Sequence, residues 1–132
     1  MQVVLISIDT LRADHLSCYG YPRPTSPNLD KLAAEGVLFE NCISGSCHTT
    51  PAFASMVSGQ DPFHHGVIAT LWAARNDLTQ RLDDRTPTLP EILYTEGWAT
   101  YAVDNLFHFS AFPSWHARGY LYYINVNPPG QQ

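Results

Sequence analysis

Four apolar stretches along the chain predict β-strands. Residues 2–8 (QVVLISI) are apolar and β-branched almost without a break, which is typical of a central parallel strand covered on both faces. Residues 37–43 (VLFENCI) and residues 98–103 (WATYAV) predict two further strands. Residues 120–132 predict a last strand in their first half, whereas their final NPPGQQ has no core-forming side chains and predicts a frayed end.

Three segments between these strands share one helix pattern: a hydroxyl residue, a proline within two positions, an apolar stripe and a terminal glycine. The predicted N-caps are Ser26, Thr50 and Thr88, the last in a capping box with Glu91, and the predicted stops are Gly36, Gly59 and Gly97. The predicted buried positions are Leu29, Leu32 and Ala33 in the first helix and Leu89, Ile92 and Leu93 in the last.

Strands that alternate with helices predict an α/β domain with a mainly parallel sheet. We assign residues 1–132 to one domain, since 132 residues are the length of a single domain and the chain shows neither a repeat nor a clear linker. Residues 60–85 predict a long connecting segment with one helical turn, and connections of this length are often functional.

The charge and the cysteine content limit which classes of partner and which cellular compartment the sequence favours. A net charge of -5 with only seven Lys and Arg argues against nucleic acid and against an anionic membrane surface. The apolar run at 2–8 is too short to cross a membrane and has no signal-peptide features. Three cysteines without C-x-x-C spacing favour reduced thiols and a cytoplasmic location.

Polar residues follow three of the predicted strands. Asp9 and Thr10 come after the first, and Asp104 and Asn105 come after WATYAV. Ligands of open α/β sheets bind beyond the carboxyl ends of the strands, so these residues are candidates for a site. Thr49 and Thr50 follow the second predicted strand, and we expect the three strand ends to converge at this edge of the sheet. A carboxylate such as Asp9 can ligate a divalent metal, although it can equally cap a turn.

The crowded stretch 44–59 (SGSCHTTPAFASMVSG) places two threonines where a helix begins. Unpaired amides and the helix dipole favour a tetrahedral oxyanion there, with one threonine capping and the other attacking. A threonine hydroxyl becomes a good nucleophile only when a metal or base activates it. The alternative is that Thr49 and Thr50 are both simple capping residues.

Several other side chains stay open between a functional and a structural role. Four histidines are candidate ligands or acid–base groups, and each can equally be a solvated surface side chain. These are His64, His65, His108 and His116, and no role is assigned to Cys47 or His48.

The motifs together resemble a known family. ISIDTLRADHLSCYGYPRPTSPNLDKLAAEGVLFEN, TTPAFASMVSGQDPFHHGV, TLPEILYTEGWATYAVDN and ARGYLYYIN are similar to the N-terminal part of the sulfatases of the alkaline phosphatase superfamily. The resemblance implies a three-layer α/β/α sandwich of alkaline-phosphatase type. It also implies that this chain is an incomplete, N-terminal portion of a sulfatase-type hydrolase domain.

Carried over position by position, the resemblance makes Asp9 the first metal-binding carboxylate and Thr10 the position of a second, often acidic, ligand. Thr49 falls at the nucleophile of the C-x-P-x-R pattern, two residues before Pro51. Cys47 is two positions too early for that pattern and Phe53 replaces its arginine, so we expect no formylglycine. A threonine nucleophile resembles the phosphodiesterase and phosphatase branches of the superfamily.

Further departures concern the rest of the site. The lysine–histidine pair that binds sulfate in many sulfatases is replaced near Asp104 and Asn105. The remaining metal ligands, an Asp–His pair and further histidines, come from later strands that this chain does not contain.

The resemblance therefore implies metal-dependent hydrolysis of a small-molecule sulfate or phosphate ester, with Thr49 as nucleophile and Ca, Zn or Mn as the divalent metal ion. We expect the chain alone to be inactive, because it lacks the later ligands. The alternative is a non-catalytic fragment or interaction module derived from a sulfatase, which self-associates or pairs with a C-terminal half.

Overall fold

The structure is a computed structural model in which residues 1–69, 81–105 and 115–126 are described. The chain divides into two compact units, Met1–Ile43 and Ser44–Gln132, and each is considered by itself. The assignment of one domain to residues 1–132 stays a prediction. In the described ranges, no helix has the length and apolar character needed to cross a membrane.

The first unit contains one α-helix and two short 3₁₀ turns. Helix α1 spans Pro27–Glu35 between Ser26 and Gly36, as the sequence predicts, and the turns span Ala13–His15 and Ser17–Tyr19. The Ser26 hydroxyl does not cap α1; it accepts a hydrogen bond from the Ser17 amide (2.9 Å) and donates to Asp30 (2.8 Å). The prediction that Leu29, Leu32 and Ala33 are buried is wrong, since α1 has no buried residue and Leu32 is 63% exposed.

The strands predicted at 2–8 and 37–43 are not formed. Both segments are irregular, and their apolar side chains are exposed, with Val4 at 81% and Phe39 at 69%. An extended segment becomes a strand only by pairing its backbone with a neighbour. The described residues of the first unit contain no strand with which either segment pairs.

The second unit begins with two helices. Helix α2 spans Thr49–Ser58 and ends at Gly59, whose φ of 68° is the left-handed conformation that glycine adopts most easily. Helix α3, Pro62–His65, is the predicted helical turn of the connecting segment, and part of that segment lies outside the described residues. The predicted cap at Thr50 is wrong. His48 is the N-cap, and its carbonyl accepts the first helical hydrogen bond from Ala52.

Helix α4, two strands and a short 3₁₀ turn at Trp115–Ala117 are the remaining elements among the described residues of the second unit. Helix α4, Leu89–Thr95, begins with the predicted capping box of Thr88 and Glu91. Strand β1, Tyr101–Asp104, pairs in parallel with β2, Tyr122–Asn125, so both of these predicted strands are confirmed. The end predicted to fray, residues 127–132, lies outside the described residues.

Among the described residues of the second unit, the buried apolar cluster consists of Ala54, Val57, Val67, Leu82 and Trp115, with Phe53 packed against it. The predicted burial of the α4 stripe is wrong, because Leu89 and Ile92 are 45% and 48% exposed and Leu93 is only half-buried.

Arg118 joins three segments of the second unit. Its guanidinium donates to both carboxylate oxygens of Glu91, at 2.9 and 2.8 Å, and to the carbonyls of Asp83 and Thr86. The next residue, Gly119, has φ 77°, and a Cβ there would overlap the backbone of Pro90 and Glu91. The loop before α4, the start of α4 and the approach to β2 are therefore held by one side chain and one close backbone contact.

Replacing Arg118 with lysine should destabilise the second unit. Lysine keeps the charge but loses the planar donor set, so we expect the free energy of unfolding to fall by about 2 kcal/mol, as for a partly buried bidentate pair. Urea unfolding followed by tryptophan fluorescence measures this. The matched control is Arg85→Lys, whose side chain is 90% exposed beside Asp83 and should leave the free energy of unfolding nearly unchanged, because solvent screens an exposed ion pair. Equal effects of the two substitutions would contradict this role for Arg118.

Candidate functional site

The start of α2 is the best-defined candidate site in the second unit. Thr49 is the first residue of the helix and is half-buried, and Thr50 is the second and is 3% exposed. His48 occupies the N-cap, and its side chain makes no capping hydrogen bond. The turn before it is held by hydroxyls, with Ser46 Oγ accepting from the His48 amide at 3.1 Å. The sequence correctly placed a helix start here, but the helix begins two residues earlier than predicted.

A histidine and a serine meet behind this helix start. His65 is 3% exposed, its Nε2 lies 3.0 Å from Ser55 Oγ, and its Nδ1 accepts a hydrogen bond from the Val67 amide at 3.1 Å. Because Nδ1 accepts, the proton of the neutral ring lies on Nε2, which therefore donates to Ser55. In this tautomer His65 cannot remove a proton from the Ser55 hydroxyl, so the pair clamps α3 to α2 and is not a nucleophile–base dyad.

Gly45 fits against the same pair. A Cβ at this position would lie 2.7 Å from Ser55 Oγ and 3.1 Å from Ser55 Cβ. Any larger residue would therefore displace the hydroxyl that accepts from His65. This explains one of the small residues in the crowded stretch that opens the helix.

Acidification should weaken the His65 clamp. Burial lowers the pKa of His65 in the folded chain, and the field of Asp61, which raises it, does not compensate. The unfolded chain therefore takes up the proton first. The contribution of neutral His65 to the free energy of unfolding is complete above about pH 6.5, the pKa of histidine in the unfolded chain. It is lost as the pH falls toward the lower pKa of His65 in the folded chain.

His65→Gln removes this titration while keeping one acceptor and one donor. We expect urea unfolding between pH 7.5 and 5 to show a smaller loss of stability on acidification in this variant than in the unsubstituted chain. His64→Gln is the control, because His64 is exposed beside Asp61 and its loss leaves the clamp intact. An identical pH dependence in His65→Gln and the unsubstituted chain would contradict the clamp.

Polar residues also meet at the carboxyl end of the β1–β2 pair. Asp104 is the last residue of β1, and its Oδ2 accepts from the Tyr123 hydroxyl and from Asn125 Nδ2, each at 2.7 Å. Burial, together with this hydrogen bond, raises the pKa of Tyr123 well above its ordinary value. Asp104 thus links the two strand ends, and Asn105 follows directly.

In the first unit, Asp9 and Thr10 lie in an exposed turn. Thr10 has φ 58°, the only positive φ of a non-glycine residue among those described, and its hydroxyl donates to the Asp9 carbonyl at 2.7 Å. A β-branched residue is strained in this conformation. Their carboxylate and hydroxyl oxygens suit a hard divalent cation. No cluster of three or more His, Cys, Asp or Glu side chains suited to a metal is found in the described ranges, so these two residues would be only part of a ligand set.

An ion-pair cluster follows this turn. Arg12 and His15 both contact Asp14, and their hydrogen bonds lower the pKa of Asp14 to about 2. All three side chains are exposed, so the cluster is a solvated surface feature.

The other open residues have structural or surface settings. His116 is buried against Trp115 and Tyr123, at ring distances of 5.6 and 5.8 Å. His64 bonds Asp61 at 2.5 Å on the surface, and Cys47 is an exposed free thiol. His108 lies outside the described residues. The predicted convergence of Asp9 with the strand-end residues of the second unit stays a prediction.

Sequence reasoning missed two features. One is the Ser55–His65 pair, and the other is Arg118, whose partner Glu91 is 27 residues away in sequence. The glycine at 119 is a sequence signal for close backbone packing, but the sequence does not show that Gly119 packs against Pro90 and Glu91.

The fold is of the α/β class, with a parallel strand pair and flanking helices. A solved structure of a putative sulfatase from Bacteroides thetaiotaomicron VPI-5482 superposes on this chain with a TM-score of 0.69 and 22% identity. The match covers 92% of this chain and 25% of that one. It confirms the predicted α/β fold of alkaline-phosphatase type.

The profile of the Sulfatase family matches residues 2–129, and the chain belongs to this family. It is 32% identical over 119 residues to N-acetylgalactosamine-6-sulfatase from Homo sapiens, covering 86% of this chain and 23% of that protein. It is 30% identical over 128 residues to iduronate 2-sulfatase from Mus musculus, covering 97% and 22%. Arylsulfatase A from Homo sapiens is 33% identical over 98 residues, covering 74% and 19%. The chain thus spans less than a quarter of the length of these relatives.

Proposed function

We propose that this chain contributes the nucleophile to hydrolysis of a small-molecule sulfate or phosphate ester. The observation that carries the proposal is the position of Thr49, the first residue of a ten-residue helix and two residues before Pro51. A helix start favours the negative charge that the transferred group carries. Family membership and the named sulfatase relatives support sulfate esters as the substrate class.

In the proposed reaction the Thr49 hydroxyl oxygen attacks sulfur or phosphorus and loses its proton. The bond from that atom to the leaving oxygen breaks, and the leaving oxygen takes up one proton, which balances the one lost by Thr49, so that an alcohol departs. Water then attacks the threonyl ester, which releases sulfate or phosphate and restores the hydroxyl. The α2 amides stabilise the charged oxygens during both steps.

Members of the family generally use a divalent metal. We propose that this metal is Ca, Zn or Mn. Asp9 and Thr10 are the part of its ligand set that this chain provides. When bound, such an ion supplies positive charge that activates a nucleophilic hydroxyl. The strained φ of Thr10 supports this role, since backbone strain is concentrated at functional sites.

Thr49→Ala should abolish any turnover while leaving folding nearly unchanged. The measurement is hydrolysis of aryl sulfate, aryl phosphate and aryl phosphodiester substrates by the full chain, with and without zinc, manganese or calcium. Thr49→Ser, which keeps a hydroxyl, should retain part of the activity. Full activity in Thr49→Ala would exclude this residue as the nucleophile.

Asp9→Asn should weaken metal binding to the chain by about tenfold or more, because a charged oxygen ligand is lost. Titration calorimetry with manganese, calcium and zinc measures the change. Asp14→Asn is the matched control, since that exposed carboxylate is engaged by Arg12 and His15 and should leave metal affinity unchanged. Metal affinity that Asp9→Asn leaves intact would remove Asp9 from the ligand set.

A second candidate function is a non-catalytic interaction module, and exposed apolar surface favours it. One face of the β1–β2 pair exposes Tyr101, Val103, Tyr122 and Ile124, although parallel strands are usually covered on both faces. Self-association or pairing with further sulfatase-type polypeptide would cover this face.

We also propose a cytoplasmic location for this chain. The free thiols at Cys18, Cys42 and Cys47 support it.

A further inference from the structure

The Thr50 hydroxyl is left without a partner in the protein interior. The residue is 3% exposed, and no hydrogen-bond partner for its Oγ1 exists within the described part of the chain. Buried hydroxyls in folded proteins are nearly always hydrogen-bonded, because an unsatisfied one is destabilising. Since His48 is the N-cap of α2, the capping role that the sequence suggested does not account for Thr50.

The position of this hydroxyl points to the missing partner. In an α-helix each Cα–Cβ bond tilts toward the N-terminus, so the side chain of the second residue lies over the first turn. The dipole of ten-residue α2 makes that end positive, and Pro51, the third residue, contributes no amide donor. No side chain of α2 is charged, so an anion there meets no competing carboxylate from the helix itself.

We propose that Thr50 Oγ1 donates a hydrogen bond to a non-bridging oxygen of a tetrahedral oxyanion, a sulfate or phosphate group, bound at the start of α2. This inference rests on the proposed function, which places the transferred group at the same helix start. Thr50 then has a role distinct from that of Thr49: it binds an oxygen of the group and does not attack it. The hydroxyl lacks a protein partner because its acceptor belongs to the ligand.

The test is oxyanion binding by the full chain, measured by titration calorimetry with sodium sulfate and, separately, with inorganic phosphate at constant ionic strength. Thr50→Val should lower the affinity about tenfold or more, the loss expected for a hydrogen bond to a charged group. Thr50→Ser should retain the affinity. Thr95→Val, which replaces an exposed helical threonine bonded to the Ile92 carbonyl, should not change it.

A stability measurement provides an independent readout. Without an anion, Thr50→Val should raise the thermal midpoint, because an unsatisfied buried hydroxyl is replaced by a methyl group of similar size. A lower midpoint would mean that the hydroxyl has a protein partner, and it would overturn the inference. The inference would equally be overturned if Thr50→Val bound both anions as tightly as the unsubstituted chain, or if the unsubstituted chain bound neither.

Thr49→Ala, measured alongside, separates this inference from the proposed function. If Thr49 is the nucleophile, this variant loses turnover and still binds the anion through Thr50. If turnover survives Thr49→Ala while anion binding still depends on Thr50, Thr49 is not the nucleophile and the role of Thr50 is supported.

Discussion

The bidentate pair between Arg118 and Glu91 is the interaction on which the second unit depends. Burial raises the pKa of Glu91, but hydrogen bonds from Arg118 and Thr88 outweigh it and keep the pKa below its ordinary value. The carboxylate therefore stays charged where it faces both the guanidinium and the capping box of α4. Because the same guanidinium also binds loop carbonyls, the start of α4, the preceding loop and the approach to β2 share one set of contacts.

This arrangement places the parallel strand pair. Thr100, just before β1, donates to the Gly119 carbonyl at 2.6 Å and accepts from the Leu121 amide at 3.1 Å. These polar contacts tie the start of β1 to the start of β2. At the other end, Asp104 joins β1 to β2 through Tyr123 and Asn125.

The candidate site contains a hydrogen-bonded pair, Ser55 and His65, and one buried hydroxyl, that of Thr50, without a hydrogen-bond partner among the described residues. His65 and Ser55 have complementary partners, which makes them structural, whereas the Thr50 hydroxyl has none within the described part of the chain. The sequence left His65 open between a ligand, an acid–base group and a solvated side chain. The tautomer that the Val67 amide imposes on His65 gives it a structural role.

The helices, two of the strands and the family could all be predicted from the sequence. Its signals there are local: the Ser–Pro start of α1, the capping box of α4 and the glycines that end helices act within a few residues. It did not predict the state of residues 2–8 and 37–43, because strand formation requires a backbone partner that no local pattern supplies. Long-range packing, by contrast, brings Arg118 to Glu91 and His65 to Ser55, and it leaves the Thr50 hydroxyl without a partner among the described residues. These facts depend on distances between groups far apart in sequence and on burial, which composition and spacing do not encode.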